Sequence, residues 1–165
     1  LPVVPLHVSG GGVPLTRLAR LGAPLFGRGL SLPVEREQFH PGTTDGALVR
    51  DLLRHGVRDL PLPLLLDLAA LFTDRGLHIG NKDVPLREAV SAISVPLLMV
   101  AACQDRQCPL DSVRDVVGRV PGARMLSVGE SGPGYGHVDL LTGRDADRDV
   151  FDPVLAFLAD GEVVG

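Results

Sequence analysis

Val95-Pro96-Leu97-Leu98-Met99-Val100-Ala101-Ala102-Cys103 is the stretch on which the fold turns. It is almost wholly apolar and too short for an ordinary helix, so Pro96–Cys103 reads as a strand buried on both faces. Gln104-Asp105-Arg106-Gln107-Cys108-Pro109 leads away from it, and Leu110–Val120 continues at helical spacing until Pro121-Gly122 stops it. Ala123–Val128 is a second strand candidate. A Gly-rich loop follows, Gly134-Tyr135-Gly136-His137-Val138-Asp139-Leu140-Leu141-Thr142-Gly143, with a lone His at its centre. Ala146–Leu158 closes the chain as an amphipathic helix, with Asp145 as its expected cap and Val150, Phe151, Val154, Leu155 and Leu158 as its stripe. Strand, helix, strand, helix is the alternation of a parallel α/β sheet. Asp105 and His137 each fall in a loop after a strand, at the sheet edge where ligands bind and chemistry happens.

Upstream the pattern is helical. Leu15, Leu18, Leu21 and Leu25 predict a short helix after Pro14. Thr44 or Asp45 can cap a helix through Leu48, Val49, Leu52 and Leu53 that stops at Gly56. Pro61 and Pro63 open another, Leu64 to Phe72, ending at Asp74-Arg75-Gly76, and the two are expected to form a helical hairpin. Leu86–Ala92 is a weaker helical segment. Residues 1–91 thus read as a loose N-terminal stretch plus a helical cap, and residues 92–165 as the α/β part.

Composition narrows the function. The net charge of −4 argues against nucleic-acid and anionic-membrane partners. An aromatic content of 4% without Trp leaves no base-stacking platform. Twenty glycines and 14 prolines exceed the ordinary share, and so many turns exclude a long coiled coil. The longest apolar stretch, Leu60 to Phe72, is interrupted by Pro61, Pro63 and Asp67, well short of a membrane span of about 20 residues. No charged region ahead of an apolar core marks a signal peptide, which favours a cytoplasmic setting. Cys103 and Cys108 fit neither a redox C-x-x-C nor a zinc pair and read as free thiols.

Residues 92–165 resemble the C-terminal part of an α/β-hydrolase of the lipase and esterase kind. Asp105-Arg106-Gln107-Cys108-Pro109 is similar to the D-x-x-x-P loop that carries that family's triad acid. Gly136-His137-Val138-Asp139-Leu140, with Gly143, is similar to its H-x-D-x-x-x-G segment. Acid before His is the order this fold uses. The resemblance implies Asp105 and His137 as two members of a Ser(or Cys)-His-Asp triad, carboxylic-ester or lipid-like acyl substrates, and no cofactor or metal. It also implies a cap in which Leu52, Leu53, Leu64, Leu65, Leu66 and Phe72 roof an apolar pocket.

The chemistry asks for the same residue types. Imidazole titrates near neutral pH, at about 6.5, which suits a general base. A buried carboxylate fixes its tautomer and stabilises the imidazolium. Each residue alone has a blander reading, Asp105 as a cap for the Leu110 helix and His137 as a loop side chain on a carbonyl. Asp111 could replace Asp105 but sits where helix capping accounts for it. Asp139 is expected to brace the His loop rather than to ligate a metal. His40, His55 and His78 carry no companion motif and read as surface or cap residues.

The departure from the family is the nucleophile. Val8-Ser9-Gly10 is the nearest approach to G-x-S-x-G, but His7 stands where the tight turn needs a small residue and Pro5 interrupts the strand. Ser9 reads as a loop serine. The expectation is a cap plus C-terminal core whose nucleophile-bearing half lies elsewhere, so these 165 residues alone should not turn over esters at an enzymatic rate. Two rivals remain: a non-catalytic remnant or interaction domain, and an acyltransferase similar to the polyester (hydroxyalkanoate) synthases, with Cys as nucleophile.

Overall fold

The computed structural model describes residues 14–28, 32–70, 86–132 and 134–160. Its only described sheet is β1 (Leu98–Ala102) paired in parallel with β2 (Arg124–Val128), in the register Leu98↔Arg124 to Ala102↔Val128. Cys103 N–H continues the ladder to the Val128 carbonyl at 2.9 Å. Parallel strands cannot be joined by a tight turn. Here α6 (Leu110–Val117) makes the crossover and packs on both strands. Gly122, at φ +74°, turns the chain into β2, and Gly129, at φ +88°, turns it out again. Both backbones lie in the left-handed region that only glycine adopts freely.

The C-terminal end packs back onto this unit. A short helix, α7 (Asp139–Thr142), follows the His loop, and a π-turn at Asp147–Phe151 runs into α8 (Asp152–Asp160). Ala102, Val128, Tyr135, Ala146 and Val150 form one buried cluster, with Val100, Leu126, Leu140 and Val154 packed around it. The single closing helix expected over 146–158 is therefore divided. Pro153 has no N–H to give to the carbonyl four residues back, and the turn before it widens to the π spacing. Asp145 does not cap through its side chain; its carboxylate pairs with Arg148 at 3.7 Å instead.

The upstream region is helical, as its periodicity predicts. α1 (Leu15–Gly22) passes into a 3₁₀ turn at Ala23–Leu25, and α2 (Pro33–Arg36) is a single turn opened by its proline. α3 (Gly46–His55) is capped by Asp45, whose carboxylate accepts from Ala47 N–H at 2.7 Å, and Gly56 follows its last residue. α4 spans Leu62–Ala70 and α5 spans Leu86–Ala89, the latter continued by a 3₁₀ turn at Val90–Ala92. The expected end of α4, with Phe72 and Asp74-Arg75-Gly76, lies outside the described residues.

One expectation is corrected here. α3 packs chiefly on α1, not on α4 as a hairpin. The contact is closed by polar ties: Thr16 N–H donates to Asp59 Oδ1 at 2.8 Å, and Arg20 Nε donates to the Arg54 carbonyl at 3.0 Å. It also depends on a backbone crossing at Gly27 and Gly46, where a methyl on Gly46 would sit 2.0 Å from the Gly27 carbonyl oxygen. No described helix is long and apolar enough to cross a membrane. The architecture is mixed α/β, with few parallel strands and flanking helices.

Candidate functional site

The loop after β1 is organised around its own aspartate. Asp105 N–H turns back to the Ala102 carbonyl, and Asp105 Oδ1 accepts from Gln107 N–H at 2.8 Å and Cys108 N–H at 2.9 Å. A short acidic side chain bonding amides two and three residues on is the usual Asx-turn device. Pro109 then starts α6. The second oxygen, Oδ2, accepts from His137 Nδ1 at 2.8 Å.

Asp105 is 3% exposed in its side chain and His137 is 44% exposed. The carboxylate is thus enclosed while the imidazole faces solvent with one edge. With Nδ1–H donated to Asp105, Nε2 is the acceptor nitrogen. It has no hydrogen-bond partner among the described residues. An imidazole oriented in this way can act chemically as a general base.

The His loop is pinned on both sides. Gln104 N–H donates to the Tyr135 carbonyl at 2.9 Å, tying the loop to the acid loop, and Val138 N–H donates to the Gln38 carbonyl at 2.8 Å. Tyr135 is 1% exposed and its hydroxyl donates to Asp149 Oδ2 at 2.9 Å. Burial first, and the adjacent Asp149 carboxylate second, push the phenol well above its ordinary range. The Arg148 guanidinium on the same carboxylate holds Asp149 below the usual range. Gly136 has to be glycine, since a methyl there would lie 2.8 Å from the backbone of Phe39 and His40.

Asp139 is wholly buried and accepts from three donors, Gly136 N–H, His40 N–H and the Thr44 hydroxyl. It braces the loop. Among the described residues no cluster of His, Cys, Asp and Glu could hold a metal ion.

The other singled-out residues fall as follows. Asp111 is exposed and paired with Arg114 at 2.9 Å, so it does not compete for His137. Cys103 and Cys108 are free thiols; Cys103 Sγ donates to the Gly129 carbonyl, and burial followed by the Asp105 charge pushes the Cys108 thiol up. A raised thiol is a poor nucleophile near neutral pH. His55 is exposed beside Asp51, while Ser9 and His78 lie outside the described residues.

His40 is not the bystander its lack of a motif suggests. It is half-buried, and its ring Nδ1 stands 3.3 Å from the Thr43 hydroxyl, which donates to the Gly134 carbonyl at 2.7 Å. Thr43, Thr44 and Tyr135 belong to the site's support; from sequence Thr44 reads only as a candidate helix cap, and Thr43 and Tyr135 carry no signal of their own. Thr43 and Thr44 meet partners more than 90 residues away, which no local pattern announces.

Beside Val138, an apolar groove of about 580 Å³ opens between α1, α3 and the Val34–Phe39 segment. Leu15, Leu18, Phe26, Phe39, Leu52 and Leu53 form its walls, and Glu35 is the only charged side chain among the described residues that line it. Of the leucines expected to roof an acyl pocket, Leu52 and Leu53 line this groove, whereas Leu64, Leu65 and Leu66 on α4 do not. α3 reaches it because α3 packs on α1. Compared with family models, curated proteins and solved structures, the chain matches none.

Proposed function

We propose that this chain supplies the acid and the base of a Ser(or Cys)-His-Asp triad acting on carboxylic esters or lipid-like acyl substrates, in the C-terminal part of an α/β-hydrolase fold. The observation that carries the reading is the Asp105–His137 pair: an enclosed carboxylate on Nδ1 at 2.8 Å, and a partly exposed ring whose Nε2 has no hydrogen-bond partner among the described residues. In such a triad Nε2 takes the proton of the attacking hydroxyl or thiol and returns it to the leaving group, while the carboxylate stabilises the imidazolium between the two steps. The apolar groove beside Val138 suits the hydrocarbon part of an acyl ester. The nucleophile is not assigned among the described residues.

The test is turnover of p-nitrophenyl butyrate and octanoate by the longest natural reading frame that contains this sequence, beside its His137→Ala and Asp105→Asn variants. Each substitution is expected to lower kcat by several orders of magnitude, on the order of 10⁴ for the acid. Turnover unchanged in both would overturn the reading.

A second reading rests on a different observation. Leu18, Leu21 and Leu25 recur at helical spacing and all stay exposed, as a partner-binding helix would present them. It predicts no His137-dependent turnover, and Leu21→Asp would change the chain's association without touching the dyad.

A further inference from the structure

Asp139 lies two residues past His137, and what it holds is more informative than its burial. Its Oδ2 accepts from Gly136 N–H at 2.8 Å and from His40 N–H at 2.5 Å, and its Oδ1 accepts from Thr44 Oγ1 at 2.5 Å. One donor is the residue directly before His137. The other two belong to the segment that leads from α2 into α3. Thr44 also meets Thr142 Oγ1 at 2.8 Å, and the Thr142 hydroxyl donates to the Val138 carbonyl at 3.1 Å. The carboxylate thus closes a buried polar network across the seam between the helical region and the His loop.

Other ties fix the loop to either side, through Tyr135 toward the acid loop and through Val138 toward Gln38. Gly136, between them, has no side chain to anchor it, and its amide is held by Asp139. We propose that Asp139 is a positioning residue for His137, setting the backbone from which the imidazole delivers Nδ1 to Asp105 and presents Nε2 outward. This rests on the reading of His137 as the base. Gln38, Phe39 and Val138 border the apolar groove, so an acyl chain seated there bears on the same seam that Asp139 closes.

A helix cap would be the plain structural alternative. α7 has no side-chain cap bond at Val138, and the three donors to Asp139 all come from outside α7. The carboxylate serves the seam rather than its own helix.

The test reads the His137 ring-nitrogen shifts by nuclear magnetic resonance in the 165-residue chain, at a pH where the ring is neutral. These shifts report the ratio of the Nδ1–H to the Nε2–H tautomer. Asp139→Ala leaves two backbone N–H groups and a hydroxyl without their acceptor. The Nδ1–H preference is expected to fall by about tenfold, with amide exchange across β1 and β2 unchanged. Asp139→Asn is expected to restore it, because its oxygen can take both backbone amides and its NH₂ can donate to Thr44. Where Asp139→Ala does not fold, Thr44→Val removes one donor and should move the ratio in the same direction.

An unchanged ratio in the folded variants overturns the proposal. So does exchange that accelerates as much across the strands as around Gly136, or an Asn variant that fails to fold, since either makes the role one of general stability. Ester turnover by the longest natural reading frame that is indifferent to His137→Ala would instead sink the reading of His137 as base, leaving the tautomer result to stand for the geometry alone.

Discussion

The strand-bearing region and the helical region are both rich in leucine and valine, yet they close in different ways. In residues 98–160, Ala101, Ala102, Val113, Val120, Val128, Tyr135, Ala146 and Val150 are buried; α6 packs on both strands, and Val154 of α8 packs against the cluster that holds Ala102 and Val128. Among the described residues of 14–70 the buried apolar side chains are Ala23 and Val49, while Leu18, Leu21, Leu25 and Val34 remain exposed. The first region is held by packing. The second is held to it by a polar seam, Asp139 with Thr44 and His40, Thr43 with Gly134, and the Thr44–Gly143 bridge. Apolar composition was equally high on both sides, so composition alone does not say where a core forms; the covering elements do.

The largest expected effect comes from emptying the packed side. Tyr135→Ala removes a ring that is 1% exposed and should cost about 3–5 kcal/mol, as other aromatic truncations in cores do. Urea unfolding followed by circular dichroism measures it, and a loss below about 1 kcal/mol would deny that this cluster is the core.

Next in size is Gly46→Ala. The new methyl would meet the Gly27 carbonyl oxygen at 2.0 Å, so the backbones must part, at about 1–3 kcal/mol. Amide exchange should quicken in α1 and α3 and hold steady in β1. Equal acceleration in both would show one cooperative unit where two differently held regions are described.

A smaller effect is set by pH. The folded Tyr135 phenol keeps its proton above the ordinary range, whereas the unfolded chain gives it up near pH 10. The native state therefore binds more protons than the unfolded one above that point. Stability is fully present below about pH 10 and declines as pH rises further. Tyr135 is the only tyrosine, so phenolate absorbance follows it directly. Tyr135→Phe should abolish that part of the slope; a slope that persists unchanged would place its origin elsewhere.

The smallest effect belongs to the exposed side. Leu21, 80% exposed, should change stability by no more than about 0.5 kcal/mol on substitution by Ser. A larger loss would mean that α1 is covered.

Elements whose reasons are local were legible in the sequence. β1 and β2 follow from apolar runs between turn formers, α3 from Asp45 at its start and Gly56 at its end, and the placing of Asp105 and His137 in loops after strands from their position in the alternation. What escaped was set at long range or by a single atom. α3 chooses α1 over α4 through ties such as Thr16–Asp59. The π-turn at Asp147–Phe151 follows from the one N–H that Pro153 lacks. His40 gains its place because Asp139, 99 residues on, accepts its amide. None of these leaves a period in the chain.

The acid loop has a consequence that reaches beyond its contacts. Gln107 and Cys108 hold Asp105 Oδ1 through bonds internal to residues 105–108. The bonds that fix the aspartate's rotamer therefore need nothing from the loop after β2. With the carboxylate held from within its own loop, the entropic toll of pairing it with His137 falls chiefly on the imidazole rather than on both partners.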